Sequence, residues 1–224
     1  MTAFRRAMIL AAGRGERLRP LTDTTPKPLI RVAGKSLIEY HLEKLARAGI
    51  RDIVINTAWL AEKIHRQLGD GSVYGVNIHY SDEGTALETA GGIIKALPLL
   101  GEQPFLVVNG DIWTDLDFAT LPPLHPEHQA HLVLVDNPAH NTQGDFALED
   151  GLLKTRGDNC YTFSGIGIYR PAFFSGQQQG ILALGPLLRQ KAEQQLISAQ
   201  LYNGQWTDVG SVERLQQLEL QISR

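Results

Sequence analysis

The chain has 224 residues, 43% of them hydrophobic and 20% charged, with a formal net charge of −3. That length and composition suit one α/β domain with a sizeable core, or two very small ones, and the charge balance excludes bulk attraction to nucleic acid or to an anionic membrane. The single cysteine, Cys160, excludes an intrachain disulfide and points to a reducing compartment, so the cytoplasm is the expected location.

The first half alternates strand and helix signals. Ala7–Ala12 is a short apolar run of strand type, too short for a signal peptide core although Arg5 and Arg6 precede it. Ser36–Ala48 carries Leu37, Ile38, Leu42 and Leu45 at helix spacing and ends at Gly49. Asp52–Asn56 reads as a second strand and Trp59–Leu68 as a helix stopped by Gly69-Asp70-Gly71. Asn77–Tyr80 reads as a third strand, Thr89–Leu97 as a helix, and Phe105–Asn109 as a strongly apolar fourth strand. Such β-α-β-α alternation predicts a mainly parallel sheet with right-handed crossovers. The second half is less regular. Strands are expected at His131–Val135, Gly144–Leu148, Leu152–Thr155 and Thr162–Tyr169, and helices at Gly185–Lys191 and Val212–Ile222. Ile197–Tyr202 and Gln205–Val209 read as a hairpin, because Asn203-Gly204 between them is a strong turn signal.

The chemistry concentrates after the first strand. Gly13-Arg14-Gly15-Glu16-Arg17-Leu18-Arg19-Pro20 is followed by Pro26-Lys27-Pro28. Glycines let the backbone approach a phosphate and aim N–H groups at it, while Arg14, Arg17, Arg19 and Lys27 supply charge for a polyphosphate. The C-terminal ends of parallel strands are where open α/β sheets bind ligands. A nucleoside triphosphate is therefore expected here. The loop is not a P-loop, which needs Gly-Lys-Ser/Thr, nor a dinucleotide fingerprint, whose third glycine is replaced by Leu18. Asp111 follows the fourth strand in Asn109-Gly110-Asp111, and Asp208 lies in Trp206-Thr207-Asp208-Val209-Gly210. Asp115 and Asp117 read as solvated turn residues, and His41 and His65 as surface or packing residues. Neither a zinc-type histidine spacing nor a G-x-S-x-G elbow is present, which excludes zinc chemistry and serine hydrolysis.

Together the string G-x-G-x-R-x-x-P-L-T (Gly13 to Thr22) and Pro26-Lys27-Pro28 resembles the signature of the sugar-1-phosphate nucleotidyltransferases. The resemblance implies a Rossmann-like nucleotidyltransferase fold: a mixed, mainly parallel central sheet with helices on both faces. It implies one domain over 1–224, with a nucleotide-binding half (1–115) and a sugar-binding half (116–224); family members often carry a C-terminal β-helix domain, and at this length none is expected here. It implies Arg17 and Lys27 as catalytic residues. The implied nucleotide site is Leu10, Ala11, Ala12, Gly13, Gly15, Glu16, Arg17, Lys27, Glu83, Asn109 and Asp111. The implied sugar site is Glu88, Thr89, Gly144, Asp145 and Gly165. Asp111 and Asp208 would be the ligands of Mg²⁺, a hard cation satisfied by two carboxylates, waters and phosphate oxygens.

Two departures from the family pattern stand out. Leu87-Glu88-Thr89-Ala90-Gly91 has a glutamate where the family has glycine, and Lys154–Asp158 lacks the E-K-P motif whose lysine grips the sugar phosphate. Over the whole chain, segments such as Leu132–Pro138 and Phe163–Ile166 look like the branch that transfers uridylyl from UTP to N-acetylmuramic acid α-1-phosphate in cell-wall recycling. Related mannose-1-phosphate, glucose-1-phosphate or phosphocholine chemistry is the alternative within the family. A non-catalytic nucleotide-sugar sensor would be favoured by loss of Lys27 or either aspartate, and all three are present. No motif sets the oligomeric state.

Overall fold

The computed structural model describes residues 4–223. In chain order the elements are β1 (Arg6–Leu10), α1 (Leu21–Thr24), β2 (Arg31–Val32), β3 (Lys35–Ser36), α2 (Leu37–Arg47), β4 (Asp52–Thr57), α3 (Ala61–Leu68), β5 (Asn77–Asp82), α4 (Glu88–Leu100), β6 (Phe105–Asn109) and β7 (Ile112–Thr114). Then follow β8 (Ala130–Val135), β9 (Phe146–Glu149), β10 (Leu152–Lys154), β11 (Cys160–Tyr169), α5 (Leu184–Glu193), β12 (Ile197–Tyr202), β13 (Trp206–Asp208) and α6 (Val212–Ile222). Among these residues no helix is long and apolar enough to cross a membrane.

Nine strands form one sheet in the order β5-β4-β1-β6-β11-β8-β12-β10-β9. The pairs β5–β4, β4–β1 and β1–β6 are parallel, as the alternation of the first half requires. Beyond β6 the sheet is mixed: β11 runs antiparallel to β6 and β8, while β12 runs parallel to β8. The chain leaves β1 for β4 on one side and returns as β6 on the other. That reversal opens a crevice at the C-terminal ends of β1 and β6, where doubly wound sheets hold their ligands.

The central strands are apolar at consecutive positions because both of their faces are covered. Ile9, Ile53, Ile55 and Val108 face one core with Leu42 and Leu45 of α2 and Ile64 of α3. Met8, Val54 and Val107 face the other with Ile93 of α4 and Leu187 and Leu188 of α5. A capping box starts α2, with Ser36 as N-cap and Glu39 reaching back to its backbone N–H at 2.8 Å. A third cluster joins Leu18 of the glycine loop to Val32, Trp113, Val209 and Leu218 of α6. The loop is thereby anchored on the last helix of the chain.

The hairpin expected around Asn203-Gly204 does not form. β12 lies in the main sheet beside β8, and β13 instead pairs antiparallel with β7. Asp115 redirects the turn: its carboxylate accepts from the Gln205 N–H at 2.7 Å and the Tyr202 hydroxyl at 2.5 Å, and its own N–H donates to the Gln205 carbonyl. Asp115 is exposed, as expected of a turn residue, and is also an anchor for the turn. Asp117 caps the following short turn through the Ala119 N–H. The two-residue β2 and β3 and the three-residue β7 carry too few residues to show a period in the sequence.

Candidate active site

Four neighbouring cavities, each lined by Asn109, Asp111 or both, together form a cleft over the C-terminal ends of β1 and β6. The first, about 200 Å³, is walled by Leu10, Ala11, Ala12, Gly13, Lys27, Glu83, Glu88, Thr89, Asn109 and Asp111. A second lies on the side of Glu88, Thr89, Asp145 and Phe163. A third joins Arg17 and Asp111 to Asp208, and a fourth is lined by Gly15, Glu16, Arg17 and Lys27. The residues expected from the glycine loop, the two aspartates and the 83–89 loop therefore meet at one place.

Local packing explains why several of them have the identity they do. Gly15 has φ of +69°, and a Cβ there would come within 2.9 Å of Thr22 and 3.1 Å of Lys27. The Thr22 hydroxyl donates to the Gly15 carbonyl at 2.8 Å, which pins the loop against the lysine. Gly110 has the Leu10 carbonyl 2.6 Å from where a Cβ would stand, so only glycine lets Asp111 leave β6 this close to β1. Lys27 is 7% exposed, and its ammonium donates to Asp111 Oδ2 at 2.5 Å. Burying a long cation is costly unless it is paired, and Asp111 is the partner. Arg17, on the short turn Glu16–Leu18, is exposed to the cleft.

The β7–β13 pairing brings the two aspartates together. Asp208 stands opposite Ile112, and the Val209 N–H donates to the Asp111 carbonyl at 2.9 Å. Arg214 of α6 donates to Asp208, and His140 lies 3.2 Å from the same oxygen. Beneath β7 the buried His41 donates from Nε2 to the Ile112 carbonyl at 2.9 Å. Desolvation lowers its pKa to about 4, and the nearby Lys44 cation acts in the same direction. His41 is a packing residue that supports the strand next to Asp111.

Sequence reading missed Asn56 and Trp59. Asn56, at the end of β4, is 3% exposed. Its Oδ1 accepts from the Ala11 N–H at 2.9 Å, and its Nδ2 donates to Glu83 Oε1 at 2.6 Å. Glu83 Oε2 accepts from the Leu87 N–H at 2.7 Å, just before α4, where the helix dipole favours an anion. Glu83 therefore reaches the cleft wall with both oxygens already engaged, as a brace between β4, the 83–89 loop and α4. Gly92 is required because a Cβ there would collide with the Glu83 carboxylate. Trp59 carries the Arg14 guanidinium 4.5 Å over its ring and donates from Nε1 to the Thr22 carbonyl at 3.0 Å. The only sequence signal for Asn56 was an amide at a strand end, a position many unrelated loops also use.

The sugar-side expectations divide. Asp145 lines the second cavity, held by the Phe163 N–H at 2.9 Å and the Asn141 amide at 3.2 Å. Gly165 sits in the bulge of β11 at φ +79°, and a Cβ there would meet the Asn109 amide at 2.6 Å. Its smallness makes room for Asn109. Gly144 turns at φ +67° against Asn137 and Cys160, behind the described lining of the cleft. Trp206 donates to the Ser164 carbonyl at 2.9 Å and forms part of the third cavity's wall.

Set beside known proteins, the chain matches the nucleotidyl transferase family model over residues 6–146. It is 58% identical over 224 residues to an N-acetylmuramate α-1-phosphate uridylyltransferase of Neisseria meningitidis serogroup B, covering 96% of each chain. It is 34% identical to the protein of that description from Caulobacter vibrioides, over 91% of each. A solved chain from Bacillus anthracis, assigned as a glucose-1-phosphate thymidylyltransferase and crystallised with sucrose, superposes with a TM-score of 0.84 over 96% of this chain and 94% of that one. At 23% identity that likeness speaks to the fold. With the glycine loop, Lys27 and both aspartates gathered in one cleft of that fold, the chain belongs to the nucleotidyl transferase family.

Proposed function

We propose that the protein transfers the uridylyl group of UTP to N-acetylmuramic acid α-1-phosphate, giving UDP-N-acetylmuramic acid and pyrophosphate, as a cytoplasmic step of cell-wall recycling. The observation that carries this is the near-full-length identity to the Neisseria meningitidis relative, joined to a cleft whose lining includes every charged residue the transfer needs. Residues 1–115 act as the nucleotide half and 116–224 as the sugar half.

In this reading the glycine loop receives the triphosphate. Gly13 has nothing within 4 Å of where a Cβ would stand, so its backbone is open to a phosphate. Leu10, Ala11 and Ala12 form the floor, Asn109 the far wall, and Gly15 and Glu16 the turn that carries Arg17. A phosphate oxygen of the sugar phosphate attacks the α-phosphorus, and the bond from that phosphorus to the bridging oxygen of pyrophosphate breaks. The nucleophile is already anionic, so no general base is needed. Bringing two polyanions together is the difficulty. Lys27 holds both phosphates and Arg17 neutralises the departing pyrophosphate, which is catalysis by positioning and charge. Glu88, Thr89 and Asp145 shape the sugar end, and Gly165 acts there only by making room for Asn109.

The donor set suits Mg²⁺. Asp111 and Asp208 offer hard oxygens into one cavity, with side chains 38% and 20% exposed. Among the described residues no cluster of three or more acidic, histidine or cysteine ligands forms. Mg²⁺ is content with one or two carboxylates plus water and substrate phosphate. Bound there, it would neutralise charge on the α-phosphate.

The test is pyrophosphate release across a grid of nucleoside triphosphates and sugar-1-phosphates, with and without Mg²⁺. Release with UTP and N-acetylmuramic acid α-1-phosphate, abolished by a chelator, is the expected result. Release only with another pair would replace the substrates, and none with any pair would refute the enzyme.

A further inference from the structure

The sugar proposed above differs from its neighbours in one charged group: N-acetylmuramic acid carries a carboxylate on a lactyl ether, where N-acetylglucosamine has a plain hydroxyl. A site selective for it needs a cation on the sugar side of the cleft. The second cavity, which opens beside Asn109 and Thr89, has ionisable walls at Glu88, Asp145 and Arg189. Arg189 of α5 is the single cation among its described lining residues.

We propose that the Arg189 guanidinium is the residue that recognises the lactyl carboxylate, a specificity contact that rests on the uridylyltransferase reading above. Three observations point the same way. First, the guanidinium is uncommitted: among the described residues it forms neither an ion pair nor a hydrogen bond, and the Asp145 carboxylate is already taken by the Phe163 N–H and the Asn141 amide. Second, it is placed. Its carbon lies 5.4 Å from the centroid of Phe146, another wall of the cavity, so the ring supports the fork without using its donors. Third, it reaches back along α5, as long helical side chains do, and Nη1 comes within 3.5 Å of where a Cβ on Gly185 would stand. Gly185 leaves that space open in the first turn of α5, and Ala183, Leu184, Gly185 and Arg189 all line the same cavity. A planar fork matches a carboxylate with two parallel hydrogen bonds, which an ammonium cannot do.

The competing role for this arginine is to replace the missing E-K-P lysine on the sugar phosphate. Substrate comparison separates the two. Pyrophosphate release is measured with UTP and either N-acetylmuramic acid α-1-phosphate or N-acetylglucosamine α-1-phosphate, the latter also as a competitive inhibitor, for the wild type, Arg189→Gln and Arg189→Lys. Loss of a charge-assisted pair weakens binding by about 10- to 100-fold. Arg189→Gln is therefore expected to raise KM for the muramic substrate by that factor with kcat nearly unchanged, and to leave the glucosamine constants as they were. Arg189→Lys is expected to recover part of the loss. Arg189 is exposed, so the fold survives both changes, and thermal unfolding verifies it. An equal loss on both sugars would put Arg189 on the phosphate and overturn the proposal, as would no change on either. A wild type inactive on the muramic substrate but active on another pair would instead overturn the uridylyltransferase reading, and this inference with it.

Discussion

Asn56 lines the cleft and ties the glycine loop to Glu83. Replacing it with alanine removes the acceptor of the buried Ala11 N–H and the donor to Glu83 Oε1. An orphaned buried amide costs about 1–3 kcal/mol, and an orphaned carboxylate oxygen costs more. The two together make roughly 3–5 kcal/mol, equivalent to a drop of about 10 °C in melting temperature for a chain of this size. The loss should also reach function, because Ala11 opens the glycine loop and Glu83 braces the start of α4. Asn56→Asp is the sharper probe. It keeps the acceptor for Ala11 but sets a carboxylate against Glu83 where 2.6 Å now separates donor from acceptor. One of the two carboxyls must then bind a proton that the unfolded chain at neutral pH does not hold. The folded state binds more protons, so the deficit of Asn56→Asp shrinks as pH falls and widens as it rises. Urea unfolding of wild type and both variants at pH 5 and pH 8 measures this. An alanine variant within about 1 kcal/mol of wild type, or an aspartate variant with an unchanged pH profile, would refute the bracing role.

Lys27→Met should lower turnover by about 10²- to 10⁴-fold while circular dichroism stays that of the wild type; normal turnover would remove Lys27 from the chemistry. His41 is neutral when folded. Above pH 6.5 it leaves stability untouched; as pH falls from 6.5 towards 4 the unfolded chain takes up the proton first, and up to about 3 kcal/mol is lost. Denaturant titration of wild type and His41→Gln across that window checks the slope, which the variant should lack. Gly92→Ala drives a methyl into the Glu83 carboxylate and should cost about 1–3 kcal/mol. Gly13→Ala meets no protein atom, so it should leave the melting temperature intact and weaken triphosphate binding; calorimetry separates the two.

The local signals were strong wherever one residue type satisfies one physical demand. The continuous apolar runs of β1 and β6 demanded burial on both faces, and the spacing of Leu37, Ile38, Leu42 and Leu45 demanded a helix. The glycine loop and both aspartates were legible as members of one site through the family string. What remained hidden were pairings between distant segments. Asn203-Gly204 is a sound hairpin signal, yet β13 crosses to β7 because Asp115 captures Tyr202 and Gln205, and that crossing alone carries Asp208 to Asp111. The roles of Asn56, Gly92 and Gly165 depend on which side chain stands opposite, and Arg189 belongs to the cleft only because α5 packs beside β10 and β12. A sequence displays periodicity and the chemical type of each residue. Which carboxylate, amide or cation becomes its neighbour is decided by the sheet order and by packing, and only the folded chain expresses either.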